Sequence, residues 1–199
     1  MKPLTEGEIQ ALKDKWFTKF PRMDLKKSKL REIRNADAPD YYRYILHPDV
    51  AKFVPVDCWP DSLEWAEDHM KFWRSQFIHK AGFCWTIADK KTDKMIGAIT
   101  LTRLRPLQRK GVFSYDLDRE YWGKGVMKEA LQAVIDFADK KLDLGRLYAC
   151  ASVDNERSIG LLKSLGFESE GLMKNYEVLE WEQVDFESFA RTRKASFFK

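Results

Sequence analysis

Glu120-Tyr121-Trp122-Gly123-Lys124-Gly125-Val126-Met127 decides the reading of the fold, because the hydrophobic period changes on either side of it. Upstream, about Val112 to Asp118 reads as a strand. Downstream, Val126, Ala130, Leu131, Val134, Ile135 and Ala138 recur at helical spacing to about Leu142. Strand, Gly-x-Gly turn and helix form a layout for binding phosphate. Glycine lets the backbone turn tightly and approach a ligand. The first helical amides have no internal partner and sit at the positive end of the macrodipole, where a pyrophosphate fits and Lys124 adds a point charge. The third glycine of a dinucleotide fingerprint is missing, and no Gly-Lys-Ser/Thr follows as in a Walker A loop. Taken alone, two glycines before a helix fit a structural turn equally well.

Towards the N-terminus, Glu6 to Phe20 carries Ile9, Leu12, Trp16 and Phe20 at helical spacing and ends at Pro21. The basic Lys26-Lys27-Ser28-Lys29 precedes an alternating Leu30-Arg31-Glu32-Ile33-Arg34. Helices are predicted over Ala38 to Leu46 and Leu63 to Phe77, separated by a loop, since Pro55 and Pro60 interrupt regular pairing. Phe83 to Ala88 and Met95 to Leu101 are two strands joined as a hairpin by the polar Asp89 to Lys94. Arg146 to Val153 reads as a strand, Glu156 to Leu165 as a helix stopped by Gly166, and Phe167 onward as strand again. The outline is helices, a meander, then β-α-β-α-β-β: one α/β (α+β) domain over 29–199 behind a helical extension over 1–28.

A length of 199 residues, 44% hydrophobic and 33% charged, describes a globular chain. The formal charge of +4 does not argue for nucleic acid and suits a phosphorylated small molecule equally well. Cys58, Cys84 and Cys150 are odd in number and widely spaced, so neither a disulfide framework nor a metal site is expected. No apolar run reaches the ~18 residues of a membrane span, and the start of the chain is polar too early for a secretory signal. A cytoplasmic protein is expected.

A second segment completes the pattern. Val153-Asp154-Asn155-Glu156-Arg157-Ser158 opens the helix that ends in Lys163-Ser164-Leu165-Gly166-Phe167-Glu168. With the Gly-x-Gly loop, this order and spacing resembles the GNAT superfamily of N-acetyltransferases, and within it the RimJ/RimL-like ribosomal-protein branch. The likeness to that branch lies in Tyr121 to Leu131, in Asn155-x-x-Ser158, and in Trp181 followed by Asp185. The resemblance implies a central mixed, mostly antiparallel sheet flanked by helices, acetyl-CoA as acetyl donor, and an amine acceptor, a protein N-terminus or ribosomal protein foremost. Two positions depart from the pattern: Glu120 stands where many members have Gln or Arg, and Leu162 where many carry a tyrosine acid.

The reaction so implied is direct attack of an amine on the thioester, which needs alignment, oxyanion stabilisation and proton transfer. By resemblance, the thioester arm lies along Ser114-Tyr115-Asp116-Leu117-Asp118, a backbone N–H near Leu117 holds the acetyl oxygen, and Trp122, Gly123, Lys124, Gly125, Val126 and Met127 hold the pyrophosphate. Ser114, Asp116 and Asp118 alternate onto one face, and Asp116 is the candidate base, the alternative being a solvated strand face. Asn155 caps its helix, contacts the cofactor, or does both. Ser158 is a candidate for bonding the cofactor or protonating the thiolate, against an ordinary first-turn serine. Asp57, Trp59 and Trp85 are candidates for the acceptor pocket, against the core as the ordinary place for an aromatic, and His47, His69 and His79 are expected at the surface.

An α-amine near pKa 7.7–8.0 is roughly 10–20% neutral at pH 7, whereas a lysine is below about 0.1%. A site without an obvious base therefore favours an α-amine. A small amine such as a polyamine, an aminoglycoside or a peptide-nucleotide toxin is the alternative acceptor; a non-catalytic module holding CoA or another phosphate is the alternative class. No membrane or direct nucleic-acid partner is expected, although Lys26–Lys29 could meet an anion such as ribosomal RNA, and the chain is expected as monomer or homodimer.

Overall fold

The computed structural model describes residues 5–193; residues 1–4 and 194–199, at the outer ends of the expected extension and domain, lie outside that span. The elements run α1 (Glu6–Trp16), β1 (Met23–Asp24), β2 (Ser28–Glu32), α2 (Ala38–Ile45), α3 (Pro48–Ala51), α4 (Leu63–Ile78), β3 (Phe83–Asp89), β4 (Met95–Arg105), β5 (Lys110–Leu117), α5 (Val126–Lys140), β6 (Arg146–Ser152), α6 (Glu156–Ser164), β7 (Glu168–Leu179) and β8 (Glu182–Thr192). One sheet holds all eight strands in the order β1-β2-β3-β4-β5-β6-β8-β7. Every neighbouring pair is antiparallel except β5–β6, giving the mixed, mostly antiparallel sheet with flanking helices that the resemblance implies.

Local chemistry sets the boundaries. Ser62 caps α4 by accepting from Trp65 N at 3.1 Å. The Asp89 carboxylate takes the amides of Lys91 and Thr92, both at 2.9 Å, and so folds the β3–β4 turn. β2 is tied to the start of α2 by Arg31, whose guanidinium grips Asp37 at 2.7 and 2.8 Å inside the protein. Thr86 and the Arg34 amide supply further donors to the same carboxylate.

The sheet has a different layer on each face. α5 puts Val126, Met127, Ala130, Leu131, Val134, Ile135 and Ala138 against Ile99, Leu101, Phe113 and Phe189. Full burial of an aliphatic side chain such as Ile135 contributes about 1.5–3 kcal/mol. The other face packs Tyr41, Tyr44 and Ile45 of α2 and Met70 and Trp73 of α4 onto Cys84 and Ala98.

Two expectations change here, and the choice between pocket and core for Trp85 closes. α1 stops at Trp16 instead of reaching Phe20, because Phe17 turns inward to stack on Phe83 at 4.5 Å and Phe20 meets Trp85 edge-on at 5.8 Å. Trp85 is fully buried in that aromatic layer, with its indole N–H on Pro21 O at 2.7 Å, so it does not line an acceptor pocket. His69 is not a surface group: it is half-buried, stacked on Trp65 at 4.7 Å and Tyr41 at 5.5 Å, and desolvation lowers its pKa to about 4.

Candidate active site

The site begins where a ladder stops. β5 and β6 pair only over Lys110–Val112 against Arg146–Tyr148, while β6 goes on pairing with β8 as far as Ser152. Beyond Val112 the two parallel strands diverge and leave a gap in the sheet. Asp118 N–H donates to Ile96 O at 2.8 Å, so by antiparallel alternation the even-numbered residues of β5 turn their backbone groups to β4. Tyr115 and Leu117 turn theirs to the gap. The Leu117 carbonyl accepts the Trp122 indole N–H at 2.8 Å, while its N–H points into the opening. A strand edge of this kind can hydrogen-bond an extended ligand.

At the end of the gap stands the glycine loop. Gly123 and Gly125 have φ of +71° and +72°, in the left-handed region that favours glycine. Gly125 is the N-cap of α5 and offers no side chain to the first-turn amides, so these remain donors to a ligand. Glu129 binds the amides of Lys26 and Lys27, both at 3.0 Å, and the Lys27 ammonium reaches Lys124 O at 2.6 Å. The basic segment is thereby anchored beside the loop. Lys124 itself lays its ammonium over the Tyr121 ring, 5.4 Å from the centroid. A cavity of about 500 Å³ runs from Gly123, Gly125, Val126 and Met127 past Asn155 and Ser158, through the gap at Tyr115–Leu117, to Val50, Phe53 and Val54 on the other face.

Tyr115 and Asp116, neighbours on β5, project to opposite faces of the sheet. On the α2 side, Asp116 accepts the Tyr44 hydroxyl at 2.6 Å and the Ala98 amide at 3.1 Å. Burial raises its pKa to about 6, against those two donors, which pull it down. Ser114 is exposed, and Asp118 lies past the strand end, buried against Arg43 at 2.7 Å. On the α6 side, the Tyr115 and Ser158 hydroxyls meet at 2.7 Å. Burial pushes the Tyr115 phenol up to about 12, so it stays protonated at neutral pH.

The comparisons with known proteins agree with this geometry. A family model described as an acetyltransferase (GNAT) domain matches residues 28–168. The chain belongs to the GNAT acetyltransferase family. It is 30% identical to the uncharacterized N-acetyltransferase p20 of Bacillus licheniformis over 165 residues, covering 83% of this chain and 92% of that one. It is 31% identical to the ribosomal-protein-serine acetyltransferase of Escherichia coli K12 over 134 residues, 67% and 75% of the two chains. The crystal structure of the ribosomal-protein-S5-alanine acetyltransferase of Vibrio fischeri superposes with a TM-score of 0.77 at 25% identity, over 90% of this chain and 99% of that one. The GNAT domain here is thus of the RimJ/RimL-like kind, and the protein is an acetyl-CoA-dependent N-acetyltransferase.

The residues present fit such a donor. An extended arm matches the backbone edge of β5, and an anionic diphosphate matches the uncapped α5 terminus, where a Cβ on Gly125 would lie 2.8 Å from Lys27 Nζ. Arg157 lines the same cavity, stacked on Trp122 at 4.9 Å, with Arg119 also over that ring at 5.1 Å. Asn155 caps α6, accepting Ser158 N at 3.1 Å, and also lines the cavity. Trp59 is partly buried, its indole held by Val54 O at 2.9 Å and its ring 6.5 Å edge-on from Trp181 of the β7–β8 turn. Asp57 lies near enough to Glu177 to help raise that carboxyl, after burial.

Sequence reasoning gave no role to the side chains of Tyr44, Tyr115 and Arg157, and took Lys27 only as part of the basic Lys26–Lys29 run. Tyr115 could have been found, since it adjoins Asp116 in a strand already assigned to the site. Among the described residues no cluster of metal-ligating side chains occurs, and no helix is long and apolar enough to cross a membrane.

Proposed function

We propose that this GNAT enzyme acetylates the N-terminal α-amine of a protein or peptide, a ribosomal protein being the leading class. The observation that carries the reading is the open gap between β5 and β6, with a half-buried carboxylate on one side and a hydroxyl pair on the other. Acetyl-CoA supplies an activated acetyl thioester, held by Gly123 to Met127 and by the β5 edge, with Leu117 N–H donating to the acetyl oxygen as negative charge develops there. Asp116, with a pKa of about 6, is mostly ionised at neutral pH and orients or deprotonates the amine, directly or through one water. On the far side, Ser158 and Tyr115 pass a proton to the departing sulfur. Asn155 fixes the first turn of α6, and with it the place of Ser158.

Support for a peptide acceptor comes from the relatives' substrates and from the sheet face beyond Asp116, where Ser114 and Cys150 are exposed rather than roofed by a helix. The nearness of Asp57 and Glu177 favours a second reading, a polyamine. The two separate on kcat/KM for thiol release with an N-terminal peptide and with spermidine. A peptide preference above tenfold upholds the first reading, and the reverse order assigns the enzyme to polyamines.

A further inference from the structure

A second pocket, of about 340 Å³, opens on the same face of the sheet as Asp116. Side chains two residues apart share a face, so Asp116, Ser114, Val112 and Lys110 form one line along β5. Tyr148 and Cys150 of β6 continue that face through the Val112–Tyr148 pair. Helices α2 and α4 cover its β3–β4 part and leave this part open.

The basic lining arises from a break in register. β4 pairs Thr102 with Val112 but Arg105 with Lys110, which inserts one extra residue into β4. Arg103 sits at the break with φ +48°. The extra residue reverses the alternation: Leu101 and Leu104 both enter the core, and Arg103 and Arg105 turn to the open face. Arg103, Arg105 and Lys110 make no ion pair among the described residues; Lys110 stacks on Tyr148 at 5.7 Å. Three cations held over an apolar floor of Val112, Tyr148 and Met173 are a site for an anionic group.

We propose that this trough reads the acceptor: an extended peptide whose α-amine lies at Asp116 and whose fifth to seventh residues carry a carboxylate side chain seated among Arg103, Arg105 and Lys110. The spacing follows from the strand, since a chain running along β5 advances about 3.3 Å per residue, level with its own Val112 at four residues and Lys110 at six. Carboxylates nearby argue for an isolated anion rather than a phosphate backbone. Glu170 is paired with Arg146, and Glu177 is close enough to Cys150 to help hold its thiol up.

This inference rests on the peptide reading above. The test uses the full chain, acetyl-CoA and two ten-residue peptides with the same first four residues, carrying Glu or Lys at positions five to seven. Wild type is expected to favour the glutamate peptide by roughly fivefold or more in kcat/KM. The Arg103→Glu/Arg105→Glu variant is expected to reverse the order, and its gain on the lysine peptide shows that it is folded. Equal use of both peptides by wild type, or a preference unchanged in the variant, overturns the inference and leaves peptide acetylation standing. Acetylation of neither peptide, with spermidine accepted, removes both. Inhibition by an RNA hairpin of both peptides to the same degree, lost in the variant, assigns the arginines to nucleic acid and also overturns it.

Discussion

The Tyr44 hydroxyl donates to the Asp116 carboxylate at 2.6 Å, joining α2 to β5 at the mouth of the sheet opening. Tyr44 is fully buried and burial keeps its phenol protonated, so it serves as a fixed donor to the ionised acid. On the proposed reading, this carboxylate of pKa about 6 meets the entering amine.

Tyr44→Phe removes one of the two donors that oppose burial, so the Asp116 pKa rises further. The acid limb of kcat/KM is expected to move up from about 6 by roughly one unit, and Asp116→Asn is expected to abolish it. An unmoved limb in Tyr44→Phe assigns that ionisation to another group. Stability carries the same signature. The folded-state pKa lies above the unfolded value of 3.8, so the folded protein binds the proton more tightly and loses stability as pH rises from about 4 through 6. Relative to wild type, Asp116→Asn should therefore gain about 2 kcal/mol in urea unfolding between pH 4 and pH 8.

Gly125→Val places a β-branched side chain at φ +72° and sets its Cβ against Lys27 Nζ. Affinity for acetyl-CoA, measured by calorimetry, is expected to fall at least ~100-fold while far-ultraviolet circular dichroism stays native. Wild-type affinity in the folded variant would show that the donor does not use this turn.

Ser158→Ala and Tyr115→Phe break one shared hydrogen bond. Each should lower kcat about tenfold and leave the acetyl-CoA dissociation constant within about threefold, and the double variant should lose little more than either alone. Additive losses would mean that the two hydroxyls act separately.

Asp37→Ala leaves Arg31 buried without its main partner and removes the acceptor of Thr86 and the Arg34 amide. Urea denaturation should report a loss of about 3–5 kcal/mol. A loss below ~1 kcal/mol would indicate that water replaces the carboxylate.

Much of this was readable in the chain because it depends on local chemistry. The switch from alternating to helical period around Gly123 and Gly125 marks β5 and α5, and Asn155 three residues before Ser158 marks the α6 cap. What depends on distant partners was not readable. Lys27 meets Lys124 across 97 positions, and Tyr44 meets Asp116 across 72; in sequence one is part of a charged run and the other an aromatic on an amphipathic helix. Pocket and core stayed open for Trp85 because an alternating strand does not reveal whether both its faces are covered, as they are here by the aromatic layer under α1 and by α4. The extra residue in β4 has no glycine or proline to announce it, so the outward turn of Arg103 and Arg105 emerges only from the register.

The most direct test of α-amine acetylation is to incubate the protein with acetyl-CoA and a peptide bearing both a free α-amine and an internal lysine, and to locate the acetyl group by tandem mass spectrometry. A single acetyl group on the α-amine is expected. Acetylation of the lysine with the α-amine left free would contradict it.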